Sequence, residues 1–199
     1  MHRVTIQVVS LAADALLLLT AAAVLALAGA AIVQLLRRRG RPAAVLAGAL
    51  GAVVALYGAG LLGAGLASRP QQLRAGDVKC FDDWCAAMVG AHRDAASGAW
   101  LVDVQVQNRA RRAAMRSSLG RAYLEVPGRG PLAPVDGSGL RAFLQPGQHA
   151  DVQLAFAAPA GARDVRFVVV EGGDGFGPGT FEIGGEGSPF HARAGWPLP

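Results

Sequence analysis

The sequence predicts a two-helix transmembrane hairpin followed by an all-β domain, and three observations predict it. Ala15–Leu36 and Ala43–Ala67 are apolar runs without a charged side chain. Each exceeds the roughly 20 helical residues that cross a hydrocarbon core of about 30 Å. Arg37, Arg38, Arg39 and Arg41 stand between the runs. From residue 77 onward, apolar and polar residues alternate between Gly- and Pro-rich turns, the period of half-buried strands.

Residues 1–67 form the hairpin, with helices over about 15–36 and 43–67 and a cytoplasmic loop at 37–41. Arginines close to helix ends stay on the cytoplasmic side. The loop is therefore inside, and Met1 and everything after Ala67 are outside a cell (inner) membrane crossed twice. Arg69, Arg74 and Lys79 on the far flank are less dense. A signal peptide cut near Ala26-Leu27-Ala28 is the competing reading, but it would leave the arginine loop outside and reverse the second helix.

Asp14 lies 22 residues before Leu36, about 33 Å along a helix at 1.5 Å per residue. That places it at the outer interface, with Val4–Ala13 as an amphipathic lead-in or an extra helical turn. Ala47, Gly51, Ala55, Ala59, Gly63 and Ala67 recur every fourth residue. Such a small-residue stripe lets a neighbouring helix approach closely, so it is the expected packing face of the hairpin. Neither helix carries the polar set of an ion path or proton relay, which disfavours a channel or transporter.

The net charge of +5 is concentrated near the membrane. Residues 1–67 carry +4 and residues 68–199 only +1. No nucleic-acid footprint follows, because that needs a basic patch on the folded domain. Arg109, Arg111, Arg112 and Arg116 read as a solvated turn, with weak attraction to anionic headgroups as the alternative.

A linker at 68–76 leads into the domain at 77–199. Ala99–Asn108 is the clearest strand, with Trp100, Val102, Val104 and Val106 on one face. Ala150–Ala157 points Val152, Leu154 and Phe156 inward, and Asp164–Glu171 does the same with Val165, Phe167 and Val169. Shorter strands are expected at Ala86–Arg93, Ala122–Val126 and Ala142–Leu144. Pro127-Gly128, Asp136-Gly137, Pro146-Gly147 and Ala160-Gly161 supply turns. Short strands at this spacing make a sandwich or a barrel.

Leu144-Gln145-Pro146-Gly147-Gln148, followed by alternation to Phe156 and then Pro159, resembles a stretch of bacterial extracytoplasmic immunoglobulin-like domains. Trp100–Asn108 is similar to their central strand, which ends in Asn before a turn. The nearest grouping is the immunoprotective-antigen-like family of secreted or membrane-anchored sandwiches. Over roughly residues 77–170 the resemblance implies an immunoglobulin-like sandwich outside the membrane, and no activity. The Gly-rich tail after Glu171 and the Cys80–Cys85 segment depart from that pattern.

Cys80 and Cys85 are the only cysteines. Outside the cytoplasm an even pair favours a disulfide. C-x4-C is not the usual zinc or thioredoxin spacing, which weakens the metal and redox alternatives. Trp84, Asp82 and Asp83, framed by the cysteines, are candidate partner contacts, with Trp84 also expected to pack against the bridge or the sandwich edge. Phe176 in the Gly172–Gly179 loop is another, and so is His191, expected as well to tie the tail down by hydrogen bonds. No His is spaced as a metal pair. The glycine-rich loop lacks the Lys and Ser/Thr of a phosphate-binding loop.

The expected function is a membrane-anchored extracytoplasmic interaction or structural module, partnered by the bilayer and by another membrane or envelope protein. It would serve as an accessory subunit of an envelope complex. The alternative is a ligand- or metal-binding sensor domain on a membrane anchor. No enzymatic constellation, cofactor, metal ligand set or nucleic-acid partner is assigned.

Overall fold

The computed structural model describes residues 5–7, 11–117, 120–157, 159, 161–171 and 178–199. The chain forms two compact units that interleave along the sequence. A helix unit takes Ser10–Arg69 and Gly177–Ala192, and a sheet unit takes Met1–Val9, Pro70–Phe176 and Arg193–Pro199. This differs from the expected division into 1–67, 68–76 and 77–199.

In the helix unit, α1 (Leu11–Leu36) and α2 (Gly40–Ala67) pack against each other and are both long and apolar enough to cross a membrane. The arginines make the reversal. Arg38 adopts the left-handed conformation at φ 57°, its N–H donates to Leu35 O, and the Arg39 N–H donates to Gln34 O. This is a Schellman ending, which satisfies two carbonyls of the last turn of α1.

The packing face is not the expected one. Ala47, Gly51, Ala55, Ala59, Gly63 and Ala67 are all exposed, and a Cβ added at Gly51 or Gly63 would meet nothing within 4 Å. A covered row on α2 runs instead through Ala43, Leu46, Leu50, Val53, Tyr57, Leu61 and Ala64. Leu17, Thr20, Val24, Leu27, Ala31 and Gln34 are covered on α1. Both rows advance mostly by alternating steps of three and four, the seam of helices crossing at a shallow angle. A strict step of four drifts around a helix of 3.6 residues per turn, so the small-residue row leaves the seam.

In the sheet unit, five strands run in the order β1 (Thr5–Gln7), β2 (Val78–Phe81), β3 (Trp84–Arg93), β4 (Trp100–Asn108) and β6 (His149–Phe156). A second sheet holds β5 (Gly120–Glu125), β7 (Arg166–Glu171) and β8 (Trp196–Pro197). Among the described strands all pairings are antiparallel except β1 with β2. Thr5–Gln7 is thus a strand, not a helical lead-in; the extra turn expected there is confined to Leu11–Asp14 at the start of α1. Thr and Ile are β-branched and suit a pleated ribbon.

The two sheets share one apolar core. Burial alternates without a break along β4. Val102, Val104 and Val106 meet Leu154 and Phe156 from their own sheet and Leu124, Phe167 and Trp196 from the other. The Phe167 ring lies edge-on to Phe156 at 6.0 Å and tilted against Trp196 at 5.7 Å. A register shift between Met88 and Gly90 leaves Val89 exposed. Ala142–Leu144 is not a strand. A 3-10 turn at Ser138–Arg141 precedes it, and Leu144 makes a single bridge to Met115.

Candidate functional site

The cysteines lie opposite each other in register on the β2–β3 hairpin and form the Cys80–Cys85 disulfide, with Cα atoms 4.0 Å apart. The segment between them is a two-residue turn, Asp82-Asp83, closed by the pair Phe81 and Trp84. Asp82 takes φ 57°, the left-handed conformation that tight hairpin turns require. Trp84 is not a surface contact: it is 0 % exposed, packed in the core at 5.6 Å from Phe81. Only Asp82 and Asp83 project into solvent. Glu171 senses this tip. Burial raises its pKa, the hydrogen bond from Ser117 opposes that, and the charge of Asp82 adds to it.

Two polar residues hold this unit together. Lys79 on β2 is fully buried. Its Nζ donates to Val169 O of β7 at 2.9 Å and to Ala194 O at 3.2 Å, and sits 5.2 Å from the Phe81 ring. It therefore ties one sheet to the other. Asn108, at the end of β4, donates from Nδ2 to Ala113 O and Leu144 O, and accepts at Oδ1 from the Ala110 N–H. Its backbone exchanges bonds with Gln148 O and the Gly147 N–H. The Pro146-Gly147 turn is type II, with Gly147 at φ 76° and the Gln148 N–H donating to Gln145 O.

In the helix unit, residues 178–192 form a strap along the last turns of α2. The Tyr57 hydroxyl donates to Phe181 O at 2.6 Å. The Ala192 N–H donates to Ser68 Oγ at 2.7 Å, and that hydroxyl donates to Gly65 O. A Cβ on Gly65 would stand 2.2 Å from Pro189 O, and one on Gly60 would stand 3.2 Å from Ile183. Gly65 is thus the glycine whose missing side chain admits the strap. Burial raises the pKa of Glu182, and the adjacent Asp14 raises it further. His191 belongs to the strap but does not tie it down through its ring: its Nδ1 is buried without a partner among the described residues, and its N–H donates to Ser188 O. Phe176 lies outside the described residues.

His92 and His149 are exposed on β3 and β6 and pair with Leu101 and Gln107 at opposite ends of β4. No group of three or more potential metal ligands gathers among the described residues. An open cleft of about 520 Å³ on the sheet unit is bordered by Tyr123, Glu125, Arg129, Asp164, Arg166 and Arg193. Arg166 pairs with Glu125 at 2.7 Å, and Arg193 lies over the Tyr123 ring and donates to its hydroxyl. The sequence pattern did not expose this cleft, because its three arginines come from separate loops and strands.

No protein-family model matches the chain, and no curated protein and no solved structure matches it.

Proposed function

We propose that this protein is a membrane-anchored extracytoplasmic interaction module, an accessory subunit of an envelope complex. The hairpin crosses the cell membrane with Arg37–Arg41 inside, and the sheet unit works outside as an immunoglobulin-like sandwich of the immunoprotective-antigen-like type. The observation that carries this reading is the surface of the hairpin. Leu18, Leu19, Leu25, Val45 and Leu56 are exposed around both helices, outside the covered seam. A lipid-like solvent makes such a surface favourable. The disulfide supports an oxidising compartment. The hydrogen bonds joining Asn108 to Leu144, Gly147 and Gln148 unite the two segments that carry the family resemblance. With no titratable set inside the hairpin, the sheet unit is the part left to recognise a partner, through the Asp82-Asp83 tip and the outer edge of β6.

Crosslinking in intact membranes, extraction in mild detergent and mass spectrometry test the proposal. One reproducible membrane partner, lost when Asp82 and Asp83 are changed to Ser or when the β6 edge is blocked, supports it. A protein that is recovered alone overturns it. The second reading is a sensor for an anionic ligand, favoured by the arginine-lined cleft beside Tyr123. It expects a carboxylate or phosphate compound to raise the thermal midpoint of the wild type and not of Arg129→Ala with Arg193→Ala.

A further inference from the structure

We infer that the strap at residues 178–192 is a second membrane-contacting element, lying in the outer lipid–water interface with Phe181 and Phe190 against lipid. The inference rests on the reading that α1 and α2 span a bilayer. At 1.5 Å per residue, the 26 and 28 residues of α1 and α2 are about 39 and 42 Å long. The hydrocarbon core is about 30 Å thick, so the helices outrun it by several turns in all. The arginine loop fixes one end at the inner boundary. Tyr57, which holds Phe181, comes 16 residues after Arg41, about 24 Å along the axis. Gly65, which Pro189 touches, comes 24 residues after Arg41, or about 36 Å. The strap thus runs from the edge of the acyl region into the headgroups, the zone where Tyr and other aromatic rings gather.

The strap is built for that zone. Irregular backbone is tolerated near lipid only if its polar groups are paired. Here the Gly185 N–H donates to Glu182 O, the Ser188 N–H and Oγ to Gly185 O, and the His191 N–H to Ser188 O. Phe181 O and the Ala192 N–H are bonded to α2 and to Ser68. The polar atoms face inward while Phe181 and Phe190 are 44 % and 71 % exposed. Phe190 also holds φ 63°, a conformation that is unfavourable for a bulky residue and persists where the surroundings impose it. Exposed phenylalanines would be a solubility defect in water, but in the interface they anchor the protein.

Site-directed spin labelling tests this on the full chain in vesicles of phosphatidylethanolamine and phosphatidylglycerol. The native cysteines are paired, so a single introduced cysteine takes the label. Phe181→Cys, Phe190→Cys, Leu25→Cys and Ser138→Cys are compared by collision with oxygen and with a water-soluble nickel chelate. The result expected is a several-fold excess of oxygen over nickel collisions at 181 and 190 relative to Ser138, with 181 the deeper. Lipid accessibility at Leu25 with water-like values at either strap position overturns the inference and leaves the hairpin reading standing. Water-like values at Leu25 overturn both. Ile183→Cys, which faces Gly60, is expected to be shielded from both reagents, and collision with nickel there overturns the docked strap.

Discussion

The helix unit and the sheet unit place their large apolar side chains differently. In the sheet unit the large apolar side chains are inside: Trp84, Phe167, Leu124 and Trp196 are fully buried, and Gln105, Asp151 and Gln153 hydrogen-bond on the outer face. In the helix unit Leu18, Leu19, Leu25, Leu56 and Leu66 face outward, while the seam mixes Leu17, Leu27, Leu46, Leu50 and Leu61 with Thr20, Gln34 and Tyr57. Thr20 is tolerated there because its hydroxyl bonds back to Leu16 O. The contrast teaches that one chain carries two patterns, with large apolar side chains confined to the inside of one unit and spread over both seam and surface in the other. Exposed apolar area is a defect or a design only in relation to its solvent.

The strongest way to break this comparison is one large-to-small change in each unit. Phe167→Ala should cost the sheet unit about 3–5 kcal/mol, since it empties the ring site between Phe156 and Trp196. Leu25→Ala should leave stability in detergent within about 0.5 kcal/mol. Tryptophan fluorescence in a denaturant titration reads the sheet unit selectively, because Trp84, Trp100 and Trp196 all lie there. A comparable loss from both variants would mean the leucines are core residues of a soluble assembly.

Lys79→Met keeps most of the buried volume but removes the donor to Val169 O and Ala194 O. A loss of about 2–3 kcal/mol is expected by the same titration. An unchanged midpoint would show that the two sheets need no polar tie. Reducing Cys80–Cys85 releases a six-residue loop and should cost about 2 kcal/mol in the chain-entropy account. Thiol titration alongside the unfolding curve checks that the bond was broken.

The glycines sharpen the comparison within α2. Gly65→Ala should expose the strap to protease and to hydrogen exchange, because the new methyl meets the Pro189 carbonyl. Gly63→Ala, two residues away in open space, should leave protection unchanged or slightly improve the helix. The smallest effect is one of pH. Glu182 has a raised folded pKa, so the docked strap binds its proton more tightly than the undocked one. Its contribution is complete below the ordinary carboxylate value of about 4.3 and fades as pH rises through the raised value. Strap protection, corrected for the intrinsic pH dependence of amide exchange, should therefore fall as pH rises through the raised value, and Glu182→Gln should flatten the profile.

Much of this architecture was legible because its signals are periodic. The helices could be read from uninterrupted apolar length, and β4, β6 and β7 from alternation. The facing cysteines could be read from their even number, although not the hairpin they close. As a partner contact Trp84 was misjudged because it neighbours two aspartates, whereas a two-residue turn separates the residue at its foot from the tip; its expected packing agrees with its burial. The small-residue row misled because alanine and glycine are so common in α2 that many frames contain one, and only the three-four step follows a seam. β1, β2 and β8 are too short to show a period. The strap has none at all: it docks through one tyrosine hydroxyl, one serine and two absent side chains, which no composition reports.

The bonds from Tyr57 to Phe181 and from Ser68 to Ala192 each join residues 124 positions apart. Gly195 likewise closes the sheet unit by bonding back to Leu73 and Gln71. A ribosome therefore releases the first helices long before the pieces that finish either unit. Closing such long loops is slow, since the chain entropy must be lost before the contacts compensate. Until residues 178–199 arrive, α2 keeps a bare groove at Gly65 and the Phe167 ring lacks Trp196. A chain cut before residue 178 would leave both surfaces unfinished at once.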